Sequence, residues 1–68
     1  MILADAIIVV LEAAHRPLNL YELVSECQPY LDETVSHFEV KQVCMHLFEL
    51  QRVRLESVDP LSFVWAAA

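Results

Sequence analysis

Residues 38–53, FEVKQVCMHLFELQRV, are followed at once by residues 54–65, RLESVDPLSFVW. The first stretch has a period near 3.6: Val40, Val43, Cys44, Leu47 and Leu50 share one face of a helix. The second has period two. Val53 and Leu55 alternate with Arg54 and Glu56, and beyond Asp59-Pro60 the residues Leu61, Phe63 and Trp65 alternate with Ser62 and Val64. β-branched and aromatic residues around a proline turn predict an antiparallel hairpin. Its apolar face, Val53, Leu55, Phe63 and Trp65, is expected to close over the helices. Ser36 is a good N-cap, and Glu39 stands three residues on at capping-box spacing, so the helix is expected over about His37 to Leu50.

Working toward the N-terminus, residues 28–35 read as a loop with an acidic pair, Asp32 and Glu33. Ahead of it, Asn19 with Glu22 repeats the capping-box spacing. A short helix to about Cys27 follows, with Leu20, Leu23, Val24 and Cys27 inward. Pro17 ends an earlier helix, because proline lacks an N–H and restrains the residue before it. Leu18 is left for a short extended segment. The earlier helix spans about Ile2 to Ala14, with Leu3, Ala6, Ile7, Val10, Leu11 and Ala14 on one wide face and Asp5 and Glu12 opposite. Ile2, Ile8 and Val9 fit neither face and flank the acidic stripe. The reading is α+β and mainly helical: a three-helix core followed by a β-hairpin.

Sixty-eight residues make one domain, 1–68. So short a chain buries only roughly 60% of its unfolded surface. Yet 57% of its residues are apolar. Some apolar side chains must therefore face solvent or a partner. Ten carboxylates oppose four bases, Arg16, Lys41, Arg52 and Arg54, for a net charge of −6. That charge repels nucleic-acid phosphates at long range. Its plain structural use is to keep a greasy domain soluble.

Catalysis finds little support. With no glycine in the chain there is no phosphate-cradling loop or dinucleotide fingerprint. No serine has a nucleophile context. His15, His37, His46, Cys27 and Cys44 lack metal-ligand spacing, and each cysteine reads better as a small buried hydrophobe. No enzyme activity, cofactor or metal is expected. No signal peptide is evident, and the apolar run 7–11 is far too short to span a bilayer. A cytoplasmic location without membrane contact is expected. The final Ala66-Ala67-Ala68 reads as a frayed end or an added tail.

Three helices followed by a hairpin is the winged helix-turn-helix order, and this resemblance covers nearly the whole chain. Residues 16–23, RPLNLYEL, resemble the family's first short strand and entry to its second helix. Residues 47–53, LFELQRV, resemble the end of its recognition helix and the start of the wing. Many members close that helix with glycine where Gln51 stands here, so the cap is either left-handed without glycine or different in kind. The resemblance implies a winged-helix domain and two classes of function. One is a transcription regulator that binds DNA as a dimer, with the third helix in the major groove. Lys41 and Gln42 would then reach bases, and Arg52 and Arg54 the backbone. The other is a protein-interaction or assembly module.

The outer face of the third helix favours the second class. It carries Phe38, Glu39, Lys41, Gln42, Met45, His46 and Glu49. Two carboxylates would oppose phosphates there. Phe38 and Met45 suit an apolar partner, or Phe38 instead packs into the preceding loop beside Tyr30 or Leu31. Candidate contacts for a protein partner or a second copy in a homodimer are Ile8, Val9, Phe38 and Met45. Trp65 joins them if the hairpin leaves it uncovered.

Overall fold

The computed structural model describes the backbone of residues 1–59 and 62–68, and the side chains outside 57–63. Helix α1 spans Leu3–Ala14, strand β1 Leu18–Asn19, and helix α2 Leu20–Cys27, followed by a 3-10 turn at Gln28–Tyr30. Helix α3 covers His37–Glu49, and strands β2 (Val53–Asp59) and β3 (Ser62–Ala67) complete the chain. The architecture is α+β and mainly helical, three helices and then a hairpin, as the periodicities predict. The helices pack on one another, and all three also touch the sheet.

Local chemistry sets the helix ends. At α2 the Glu22 amide donates to Asn19 Oδ1 at 2.8 Å, and the Asn19 amide donates to Glu22 Oε1 at 3.1 Å. At α3 the Glu39 amide donates to Ser36 Oγ at 3.1 Å, and Glu39 Oε1 accepts from the Ser36 amide at 3.5 Å. Both capping boxes are therefore complete, and each satisfies helix amides that have no partner within the helix. Helix α1 has no side-chain cap. Asp5 sits in its first turn, where a carboxylate complements the helix dipole, and the helix ends at His15, which is left-handed at φ 55°.

Helix α3 also ends left-handed, at Gln51 with φ 59°. The Arg52 amide donates to the Leu47 carbonyl at 2.8 Å, and the Gln51 amide to the Phe48 carbonyl at 2.9 Å. This is the paired 6→1 and 5→2 pattern of a Schellman cap, made without glycine. It also corrects an expectation. Leu50 was placed on the inner stripe but is 55% exposed, because the helix stops at Glu49 and the chain turns away there.

The loop before α3 is tied by one side chain. Gln28 Nε2 donates to the Glu33 carbonyl at 2.9 Å, and Gln28 Oε1 accepts from the Val35 amide at 3.4 Å. The side-chain amide stands in for backbone partners that an irregular segment cannot supply for itself.

The sheet has the order β1-β3-β2 and is antiparallel throughout. Trp65 pairs with Leu18 on one side and Leu55 on the other. It therefore lies in the central strand, 1% exposed, with its ring edge-on to Phe48 at 6.5 Å. Trp65 is a core residue, and its candidacy as an uncovered hairpin anchor is corrected. The physical reason is β1, whose two residues turn a two-stranded wing into a three-stranded sheet. The alanine tail is corrected likewise, since Ala66 is buried and Ala67 pairs with Val53. The expected Asp59-Pro60 turn and the inward position of Phe63 lie outside what is described.

The core gathers Ala6, Ile7, Val10 and Leu11 of α1, Leu23 and Cys27 of α2, and Val40, Cys44 and Leu47 of α3. Leu18, Val53 and Trp65 close it from the sheet. No buried polar side-chain atom among the described residues lacks a partner.

Candidate protein-interaction surface

Because Val40, Cys44 and Leu47 face the core, the 100° step per residue puts Phe38, Gln42, Met45 and Glu49 on the opposite side of α3. All four are exposed. Phe38 is 69% exposed and does not pack into the preceding loop; Met45 is 37% exposed. They stand seven positions apart, about 10 Å along the axis at 1.5 Å per residue. The stripe thus alternates apolar and polar groups, and Glu39 and His46 border it.

A further aromatic extends this surface. Tyr21, in the first turn of α2, is 73% exposed, and its ring lies 4.7 Å from that of His37 at a tilt of 59°. The two capped helix starts therefore meet side by side at Tyr21 and His37, and Phe38 follows His37 in the chain. Sequence reasoning did not single out Tyr21. The signal was present, because Tyr21 falls opposite Leu23 and Cys27 on the helical wheel. What the wheel cannot give is the neighbouring helix that places His37 against it.

The other candidates are dispersed. Ile8 is half-buried and packs against the core. Val9 is half-buried on α1, at helical spacing from the exposed Asp5 and Glu12. Both stand on a different helix from Phe38 and Met45. Of the residues named for DNA contact, Lys41 and Gln42 are exposed on α3, and Arg52 is exposed just past its end. Arg54 is engaged with its own strand pair: it lies 3.5 Å from Glu56 and donates through Nε to the Ala67 carbonyl at 3.1 Å. Arg16 is held 3.0 Å from Glu22. Arg16 and Arg54 thus already face carboxylates of the same chain, although such exposed pairs are individually weak.

Titration behaviour follows these contacts. The Asn19 amide and then the Arg16 guanidinium hold the Glu22 carboxyl below its usual range. Burial pushes the Cys27 thiol up to about 11, aided by the charge of Glu26. Burial pushes Cys44 up to about 12, with a contribution from nearby Cys27. Such thiols are poor nucleophiles, since the thiolate is the reactive form. Among the described residues no three His, Cys, Asp or Glu side chains converge as a metal cage would require. Among the same residues no helix is long and apolar enough to cross a membrane. No family model, curated protein or solved structure matches the chain.

Proposed function

We propose that this chain is a winged-helix domain serving as a protein-interaction or assembly module rather than a reader of nucleic acid. One observation carries the reading: the outward face of α3 presents Phe38 and Met45 to solvent, beside Glu39 and Glu49. A helix meant for the major groove gains affinity from cations near phosphates and from polar groups at base edges. This one would bring carboxylates to phosphates and desolvate a phenyl ring and a thioether against a polar groove. The same residues suit a protein partner, where aromatic and methionine side chains supply buried contact area and charges sit at the rim. The two buried free thiols fit a reducing, cytoplasmic setting.

The test places a photo-crosslinking benzoylphenylalanine at position 38 in the native host. The expected adduct is protease-sensitive and nuclease-resistant, and it is lost when Met45→Glu is added. Alongside, duplex DNA titrated at about 150 mM salt, where the Debye length is roughly 8 Å, is expected to show no sub-micromolar binding. A nuclease-sensitive adduct, or tight DNA binding with a steep negative salt slope that Lys41→Ala and Arg52→Ala reduce, overturns the reading in favour of a DNA-binding regulator.

A further inference from the structure

We infer that β2 is a self-pairing edge and that two copies of the chain join there, antiparallel, across a two-fold axis at Leu55. The inference rests on the assembly reading and names one of its partners as a second copy.

Among the described residues, the sheet order leaves β2 with β3 on one side and no strand on the other. An unpaired edge exposes backbone N–H and C=O groups in the spacing that another strand needs. Proteins commonly guard such edges with charges of one sign. Here, among the described side chains of β2, Arg54 and Glu56 share one face, opposite in sign and two apart. In an antiparallel pair centred on Leu55, Arg54 of each copy lies directly across from Glu56 of the other. Opposed side chains in such a pair have Cβ atoms about 5 Å apart, within ion-pair reach. The charge order is therefore complementary to itself under a two-fold axis, where two lysines or two glutamates would repel.

The side facing the helices agrees. Along the edge of β2 lies an open cleft of about 410 Å3, lined by Phe48, Val53, Leu55 and Ala68 together with Gln51, Arg54 and Glu56. Leu55 is half-buried and Phe48 is 42% exposed. A two-fold axis perpendicular to the sheet keeps the helices of both copies on one side, so the two clefts meet and Leu55 packs against its own counterpart. Such an interface is isologous and closed, which limits assembly to a dimer. The register shift between Glu56 and Asp59 ends the regular part of the strand and confines the pairing to its first half. In the monomer Arg54 reaches Glu56 of its own strand at 3.5 Å; that exposed contact is weak enough to exchange for the cross-copy pair.

Charge reversal tests the register. Analytical ultracentrifugation at about 150 mM salt, to screen the repulsion between two acidic copies, is expected to show a concentration-dependent dimer for the natural chain. Arg54→Glu alone sets carboxylates against carboxylates, and Glu56→Arg alone sets guanidiniums against guanidiniums. Each is expected to be a monomer with an unchanged circular-dichroism spectrum. Mixing the two single variants restores a dimer, and so does the double variant R54E/E56R, because both arrangements recover opposite charges in the same register. In the natural chain, β2 amides directed away from β3 gain protection from hydrogen exchange as concentration rises; this readout needs no variant and decides the matter if a substitution unfolds the domain. A natural chain that stays monomeric, single variants that still dimerise, failure of both rescues, or no gain in protection each overturns the inference. Failure on α3 is distinguishable: Phe38→Ser with Met45→Ser is expected to leave the β2 dimer intact. If that pair of changes abolishes the dimer, the edge proposal falls and α3 becomes the self-interface.

Discussion

Cys27 and Cys44 show what burial does to single side chains. Both are free and inaccessible, and desolvation disfavours their charged forms. The folded chain holds both thiols protonated above the ordinary value of 9.0. The stability linked to them is therefore complete below pH 9 and is lost as pH rises through about 11 for Cys27 and about 12 for Cys44. Two outcomes are expected. Iodoacetamide at pH 8 leaves both thiols unmodified in the native protein and alkylates both in denaturant, as intact mass would show. The urea midpoint is insensitive to these groups from pH 7 to pH 9 and falls above that. Rapid native labelling at pH 8 would mean that α2 and α3 open far more readily than their packing implies.

At the scale of elements, the end of α3 is a locally unfavourable choice, like the left-handed His15 at the end of α1. Gln51 adopts a left-handed backbone, which costs a residue with a Cβ roughly 1–2 kcal/mol. Glycine removes that strain but gives back about 0.5–1 kcal/mol of unfolded-state entropy. Gln51→Gly is thus expected to stabilise the domain by up to about 1 kcal/mol. In thermal unfolding that appears as a rise of a few degrees, given roughly 4–8 °C per kcal/mol in so small a domain. A fall in melting temperature would show that the glutamine side chain contributes something beyond the cap. The starts of α2 and α3 are the opposite case, because both capping boxes agree with the helices they begin.

For the whole molecule, Leu47 is a side chain of the shared core. It is 3% exposed on the inner face of α3 and belongs to the single core cluster shared by three helices and the sheet. Leu47→Ala removes three carbons there and leaves a cavity, at a cost of about 2–5 kcal/mol. Domains of this kind have a total stability of roughly 5–15 kcal/mol, and small ones lie at the low end. The expected outcome is a domain largely unfolded at 37 °C, read by far-UV circular dichroism. A variant with nearly unchanged melting temperature would refute the assignment of the α3 faces, and with it the outward stripe of Phe38 and Met45.

Sequence alone determined the parts of this protein that depend on near neighbours. The spacing of Val40, Cys44 and Leu47 placed the inner face of α3, and Asn19-Glu22 and Ser36-Glu39 marked two helix starts, because helical periodicity and capping act over three or four residues. The outward positions of Phe38 and Met45 followed from the same wheel. Tertiary structure decided what depends on residues far apart in the chain. Trp65 went from a possible hairpin-edge anchor to a buried central-strand residue because Leu18, 47 positions earlier, pairs beside it. Ala66 is buried in the strand that pairs with β2. Gln28 ordered the loop through contacts that no periodicity encodes. Tyr21 meets His37 of α3 only because two helix starts come together in space. Patterns of three or four residues are written in local backbone geometry, whereas strand neighbours and helix contacts are settled by which arrangement buries the core.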